Sequence, residues 1–288
     1  MTNSIQCLLK KTIQIFQIKD HAPTRLWKTS TSVQREYINC LQNQHPHKAT
    51  GPDEIPAFII RAAASQLAPL LARIYQRTLD HGEIPQDWRD ALVVPIFQNG
   101  ERHIAANYRP VSLTSISCTI LEHIIHSNIM KHFDTNKILT DTQHGFRKKR
   151  SIESHLLVTV QEIVKRLATG SQVDIILLDF AKAFDKVPHS RLLYKLEYYG
   201  IDQVTIKWIK SFQNVVLVGV KWSSAQVLSG VPQGSVLGPL LFLAYINGMP
   251  ETINHSETRL FRKINNTIDS DLLLQDLRQI GKWVANEF

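Results

Sequence analysis

The run V-D-I-I-L-L-D (Val173–Asp179) constrains the fold of this 288-residue chain more than any other stretch. Ile175 to Leu178 are consecutive apolar residues, the pattern of a strand covered on both faces and hence of a sheet with layers on either side. The run ends on one acid, Asp179, and a second, Asp185, follows six residues later. A carboxylate at the end of a buried strand has to be compensated. A bound cation is one compensation, because hard Asp oxygens completed by phosphate oxygens suit Mg2+. Capping the following helix or turn is the other. The strand alone does not choose between them.

A second stretch narrows the choice. S-G-V-P-Q-G-S-V-L-G-P (Ser229–Pro239) holds three glycines and two prolines and leads into the apolar run Leu240–Ile246. Together, L-D-F-A-K-A-F-D-K-V-P-H (Leu178–His189) and S-G-V-P-Q-G-S-V-L-G-P-L-L-F (Ser229–Phe242) resemble the reverse transcriptases of non-LTR (LINE-type) retrotransposons. The likeness continues upstream in K-A-T-G-P-D-E-I-P (Lys48–Pro56), N-Y-R-P-V-S-L-T-S (Asn107–Ser115) and Q-H-G-F-R-K (Gln143–Lys148). These blocks occur in the family's order over residues 48–261.

The resemblance implies an α+β right-hand polymerase fold with fingers and palm, an incomplete palm sheet and no thumb. It divides the chain into a partly ordered lead-in (1–47), a fingers-like region (48–170), a palm-like region with the catalytic strand and Gly-rich loop (171–261) and a helical remnant (262–288). It implies RNA-directed DNA synthesis with an RNA template, a DNA primer and deoxynucleoside triphosphates as partners and Mg2+ as cofactor. Asp179 is then the catalytic, metal-binding acid. Arg109, Phe180, Phe184, Gln233 and Gly234 face the incoming nucleotide, and Arg147, Lys148, Lys149 and Arg150 hold nucleic acid. Each of these residues also has a plain structural reading. Arg109 suits phosphate oxygens as a guanidinium fork or tethers a surface loop. Phe184 disfavours a 2′-hydroxyl, the group that separates RNA from DNA, or packs in the core. The basic block grips template or is a solvated turn. Gly230 and Gly234 allow close backbone approach to a base pair or form a tight turn before a helix. Asp185 takes a supporting internal hydrogen bond.

The chain departs from the family at two places. Gln98 follows P-I-F where a lysine is usual, and it cannot neutralise phosphate. After Y-I-N (Tyr245–Asn247), Gly248 replaces an Asp, and the strand Thr258–Phe261 runs into R-K-I-N rather than into the Ala-Asp-Asp hairpin. Two-metal phosphoryl transfer needs cations about 3.5–4 Å apart, and Asp179 alone supplies too little negative charge for both. Arg262 and Lys263 stand where the acids belong and repel metal. Asp269 and Asp271 cap the following helix rather than replace them. The expectation is therefore a catalytically inactive reverse-transcriptase domain that ends at Phe288 before the later palm strands and thumb. A non-catalytic nucleic-acid-binding remnant, or a degraded product without a stable fold, is the alternative.

Charge fits that expectation. The chain has 33 Lys and Arg against 25 Asp and Glu, a net +8 with pI near 9.4, which suits a polyanionic partner and also serves solubility. Three dispersed cysteines form no disulfide framework, and the pairs His45/His47 and His123/His126 lack partners for a zinc site. No signal peptide or membrane span is legible, so an intracellular protein is expected.

The helical pattern from Pro56 onward places Ile59, Ile60, Leu67, Leu70, Leu71, Ile74 and Leu79 on one face, with a break near Pro69 and a stop at Gly82. Ala91–Phe97 reads as a strand. Ser115–Phe133 reads as an amphipathic helix with Ile116, Ile120, Leu121, Ile124, Ile125, Ile129 and Phe133 inward. A helix opens at Ser151 and stops at Gly170, two short helices span Leu192–Gly200 and Val204–Phe212, and a hairpin is formed by Val215–Val220 and Ala225–Leu228.

Overall fold

Helices α1 (Ala57–Ala62) and α2 (Ala64–His81) are separated at Ala63, and α2 ends at Gly82 in the left-handed region with φ 68°. The break thus falls six residues before Pro69, which lies inside α2. Pro69 and Ser65 are both exposed, so the carbonyl that Pro69 leaves without its i+4 donor has water at hand. Ile59 and Leu70 are exposed rather than inward, while Ile60, Leu71 and Leu79 are buried. The computed structural model that shows this describes residues 38–287 apart from 171, 176–177, 179, 181, 214–215, 220–221, 227–228, 253–260 and 265–266.

A single turn, α3 (Gln86–Arg89), leads into strand β1 (Asp90–Phe97), which pairs antiparallel with β2 (Tyr108–Leu113). Helix α4 (Ile116–Thr135) follows, its Ser115 cap accepting from the Cys118 N–H at 3.0 Å. Helix α5 (Ile152–Ala168) opens with a reciprocal Ser151/Ser154 capping box, and Gly170 follows it at φ 71°. Then come strand β3 (Gln172–Ile175), helices α6 (His189–Tyr198) and α7 (Gln203–Gln213), and the hairpin β4 (Val216–Gly219) and β5 (Trp222–Gln226). Helix α8 (Leu237–Ile246), strand β6 (Phe261–Ile264) and helix α9 (Thr267–Glu287) complete the chain.

Mixed helix and sheet is therefore the architecture, with two sheets among the described residues. One has the order β2-β1-β4-β5, β1 and β4 being parallel; the other pairs β3 with β6 antiparallel. The core lies between α2, α4, α6, α7 and α8, around Tyr75, Phe133, Trp208, Phe212 and Tyr245. All seven apolar positions expected inward on α4 are buried. Tyr75 donates to the Ser117 carbonyl at 2.8 Å and ties α2 to α4.

Two expectations fail in the β3 region. Ile175 and Leu178, at the two ends of the apolar run, are 44% and 47% exposed rather than buried; Ile176 and Leu177 lie outside the described residues. The reason is local: among the described residues β3 pairs with β6 alone, and α5, which precedes it, has no buried side chain. The junction expected at Phe261–Arg262 also falls inside β6, so the segment beyond it begins as strand before α9 starts at Thr267. Of the strand expected at Thr258–Phe261, only Phe261 lies within the described residues.

Helix α9 returns to the core. The Lys195 ammonium of α6 lies 3.2 Å from Glu287, donates to the Tyr245 carbonyl at 2.7 Å, and sits over the Tyr245 and Trp283 rings at 4.6 and 5.2 Å. Among the described residues no helix is long and apolar enough to cross a membrane.

Candidate active site

The site is built where the Gly-rich loop crosses the turn after β3. A 3-10 turn at Ala183–Lys186 follows Lys182, whose φ is 56°, and the Asp185 N–H donates to the Lys182 carbonyl at 3.0 Å. The loop lies across this turn: Gly230 N–H donates to Val187 and Val231 N–H to Phe184, each at 2.8 Å. A methyl on Gly230 would meet the Phe184 carbonyl oxygen at 2.8 Å and the Asp185 Cα at 2.9 Å, at φ +91°. Only glycine fits there.

On its other side the loop lies against β2. The Ser112 N–H donates to the Gln233 carbonyl at 2.8 Å. A Cβ on Gly234, at φ +98°, would stand 2.9 Å from the Ser112 carbonyl oxygen. This close approach places the Gln233 side chain between two polar groups from distant parts of the chain. Arg109 Nε donates to Gln233 Oε1 at 2.5 Å, and Gln233 Nε2 donates to Asp185 Oδ1 at 2.6 Å. Arg109 is exposed, and this bond uses none of the donors on its two terminal nitrogens. The result is an oriented guanidinium at the mouth of a glycine-lined loop, steered by a carboxylate two links away. Such a group is suited to bind a phosphate.

The other expected residues are placed as follows. Asp179 lies outside the described residues. Asp185 makes the internal hydrogen bond expected of it. Phe184 is half-buried, stacked on Phe242 with centroids 4.9 Å apart and edge-on to Phe146 at 6.3 Å. Phe180 is half-buried. In the basic block the two arginines are tied into their own loop. Arg147 donates to the Thr140 carbonyl at 2.9 Å and lies 3.7 Å from Asp134, while Arg150 pairs with Asp141 at 2.7 Å. Lys148 and Lys149 are exposed. Gln98, in the position of the family's lysine, follows directly on β1 and its N–H donates to the Asn107 carbonyl at 3.0 Å.

The described donor set does not fit a pair of divalent cations. Among the described residues no group of three or more His, Cys, Asp or Glu could hold a metal ion. Strand β6 pairs with β3 so that Arg262 is in register with Asp174 and Lys263 with Val173.

Sequence reasoning gave no role to two buried polar residues, Glu122 and Asn247. Glu122 of α4 is fully buried, and its Oε2 accepts from the Val236 and Leu237 N–H groups at 2.8 and 3.2 Å. Burial drives its pKa up to about 7, against the pull of those N–H donors and of the Lys48 charge. The available signal was an acid set between Leu121 and Ile124 on an otherwise apolar helix face. Asn247, also buried, accepts from the Thr140 N–H at 3.0 Å and donates to the Ile138 carbonyl at 2.8 Å, fixing the segment that leads to the basic block. It closes the Y-I-N stretch (Tyr245–Asn247), whose sequence does not show these distant partners.

In sequence the chain is similar to a known family. The family profile for "Reverse transcriptase (RNA-dependent DNA polymerase)" matches residues 98–268. The RNA-directed DNA polymerase from mobile element jockey of Drosophila melanogaster is 32% identical over 221 residues, covering 75% of this chain and 24% of that protein. The probable RNA-directed DNA polymerase from transposon BS of the same species is 27% identical over 223 residues, again 75% and 24%. The Pol polyprotein from the type-1 retrotransposable element R2 of Popillia japonica is 25% identical over 225 residues, 76% of this chain and 30% of that protein. The chain thus spans about a quarter of the length of the first two of these relatives.

Proposed function

This chain belongs to the reverse transcriptase family, in its non-LTR retrotransposon branch, and from that premise we propose that it keeps the nucleotide-facing half of the polymerase site without a working metal-facing half. In this reading residues 48–170 form the fingers and 171–261 the palm. The relay Arg109–Gln233–Asp185 carries the proposal, because it joins residues from three separated blocks into one oriented cation. Arg109 receives the triphosphate of a deoxynucleotide, and the Gln233–Gly234 backbone lies under the base pair. Phe184, braced by Phe242, holds a fixed ring beside the sugar, and Phe180 lines the same side. Lys148 and Lys149, assisted by Arg147 and Arg150, hold the RNA template and DNA primer electrostatically.

Catalysis is a different matter. Joining a nucleotide to a primer 3′-hydroxyl releases pyrophosphate and relies on two divalent cations, Mg2+ in this family. Asp179, the expected ligand, has no acidic hairpin beside it in the sequence, which runs from Phe261 into Arg262 and Lys263. The function left to the chain is recognition of a primed template and a nucleotide. Titrating a labelled deoxynucleoside triphosphate into the chain with primed RNA template tests this. Saturable binding weakened about tenfold by Arg109→Ala or Gln233→Ala, as loss of a charge-assisted contact predicts, supports the reading. Binding that both substitutions leave unchanged overturns it.

A further inference from the structure

Glu122 has no evident place in a core helix. It is fully buried between Leu121 and Ile124, which are themselves buried, and an apolar residue there would avoid the cost of desolvating a carboxylate. What the acid adds is one fixed acceptor, and both N–H groups that use it, Val236 and Leu237, lie in the Gly-rich stretch where it passes into α8.

The geometry makes loop and helix one piece. The Ser235 hydroxyl donates to the Pro232 carbonyl at 2.9 Å and accepts from the Gly238 N–H at 2.9 Å, closing the turn that presents Gln233 and Gly234 onto the start of α8. The front of that piece is held by Ser112 on β2 and its near end by Phe184. Glu122 holds it from behind. The upstream block Lys48–Pro56, otherwise without a role, belongs to the same construction. Gly51 is so close to the Thr114–Ser115 backbone that a Cβ would stand 2.6 Å away, and the Lys48 charge acts on Glu122.

We propose that Glu122 is a positioning residue for nucleotide recognition: by anchoring residues 236 and 237 it sets where Gln233 and Gly234 stand over β2. The proposal rests on the nucleotide-facing reading of that loop. Nothing in it requires Glu122 to touch nucleotide.

Amide hydrogen exchange on the whole chain tests the anchor. Glu122→Met removes the acceptor at similar volume, Glu122→Asp draws the carboxyl group back by one bond while keeping an acid, and Glu122→Gln keeps an acceptor oxygen in place. Exchange at residues 233–237 should quicken about tenfold in the Met and Asp variants, as for loss of a hydrogen bond, while α2 and the rest of α4 keep their protection and the Gln variant stays near wild type. Unchanged exchange in the Asp variant, or loosening of α2 and α4 along with the loop, overturns the proposal. The same proteins are then titrated with primed RNA template and labelled deoxythymidine triphosphate. Triphosphate affinity should fall with loop protection while affinity for the primed template holds. Loosened variants that bind triphosphate as wild type does overturn the positioning role. A wild type that binds no triphosphate overturns the nucleotide reading itself, a failure the exchange data keep separate from that of the anchor.

Discussion

Gly230 and Gly234 lie against the backbone of Phe184 and Ser112 with no space for a methyl group, whereas upstream Ile175 and Leu178 stand about half exposed on and just beyond a strand with one described neighbour. Both regions carry the family's sequence blocks, yet only the first is closed. The loop is closed by partners this chain contains: Ser112, Phe184, Val187 and Glu122. The strand needs sheet neighbours on its other edge and cover on its faces. Apolar sequence makes a strand able to be buried, and burial itself comes from what packs around it. The same contrast separates two helices: α4 buries twelve of its residues, while α5 leaves Ile152, Leu156, Leu157, Val160, Val164 and Leu167 exposed.

The largest effect should come from truncating the two helices in turn. Ile125→Ala in α4 should cost about 2–5 kcal/mol, and Leu157→Ala in α5 within about 0.5 kcal/mol, read as denaturant midpoints. Equal losses would mean that α5 is covered in solution. Next in size is a pH effect. Because the Glu122 carboxyl is raised from 4.5 to about 7, the folded chain holds a proton that the unfolded chain releases between those values. Its contribution to stability is full below the unfolded value and is lost as pH rises through the folded one, by about 3 kcal/mol. Glu122→Gln should flatten that part of the stability–pH curve; an unaltered slope would show that Glu122 stays ionised in the fold.

A glycine pair sharpens the contrast further. Gly170 and Gly230 both have positive φ, but a Cβ on Gly170 meets nothing within 4 Å while one on Gly230 strikes backbone. Gly170→Ala should cost about 1 kcal/mol from conformation alone and Gly230→Ala about 1–3 kcal/mol more; similar thermal shifts would show that the loop yields. Smallest is the surface term. Replacing Lys148 and Lys149 by Gln should leave stability within about 0.5 kcal/mol and lower the salt slope of template binding by about 1–2. A slope that does not move would place the template elsewhere.

Much of this was legible in the residues. Ser115, Ser151, Gly82 and Gly170 mark helix ends by capping chemistry that acts over a few residues, and the α4 core face follows from its period. The five blocks identified the family, and the Asp185 hydrogen bond was expected. Long-range outcomes were not legible. The exposure of Ile175 depends on which strands pair with β3, β6 alone among the described residues, and the break at Ala63 instead of Pro69 on which side of the helix meets water. Arg147 and Arg150 read as free cations until Asp134, Asp141 and the Thr140 carbonyl are brought beside them. Glu122 was visible as an odd acid on an apolar face, but its partners lie more than a hundred residues away.

The most direct test of the divided site is primer extension on an RNA template with Mg2+ and deoxynucleotides, run beside triphosphate binding on the same folded protein with Asp179→Ala as control. A site with only its nucleotide-facing half should bind triphosphate through Arg109 and Gln233 and show no extension in either protein. Extension by the wild type that disappears in Asp179→Ala would show that acids elsewhere complete the metal centre, and would contradict that division.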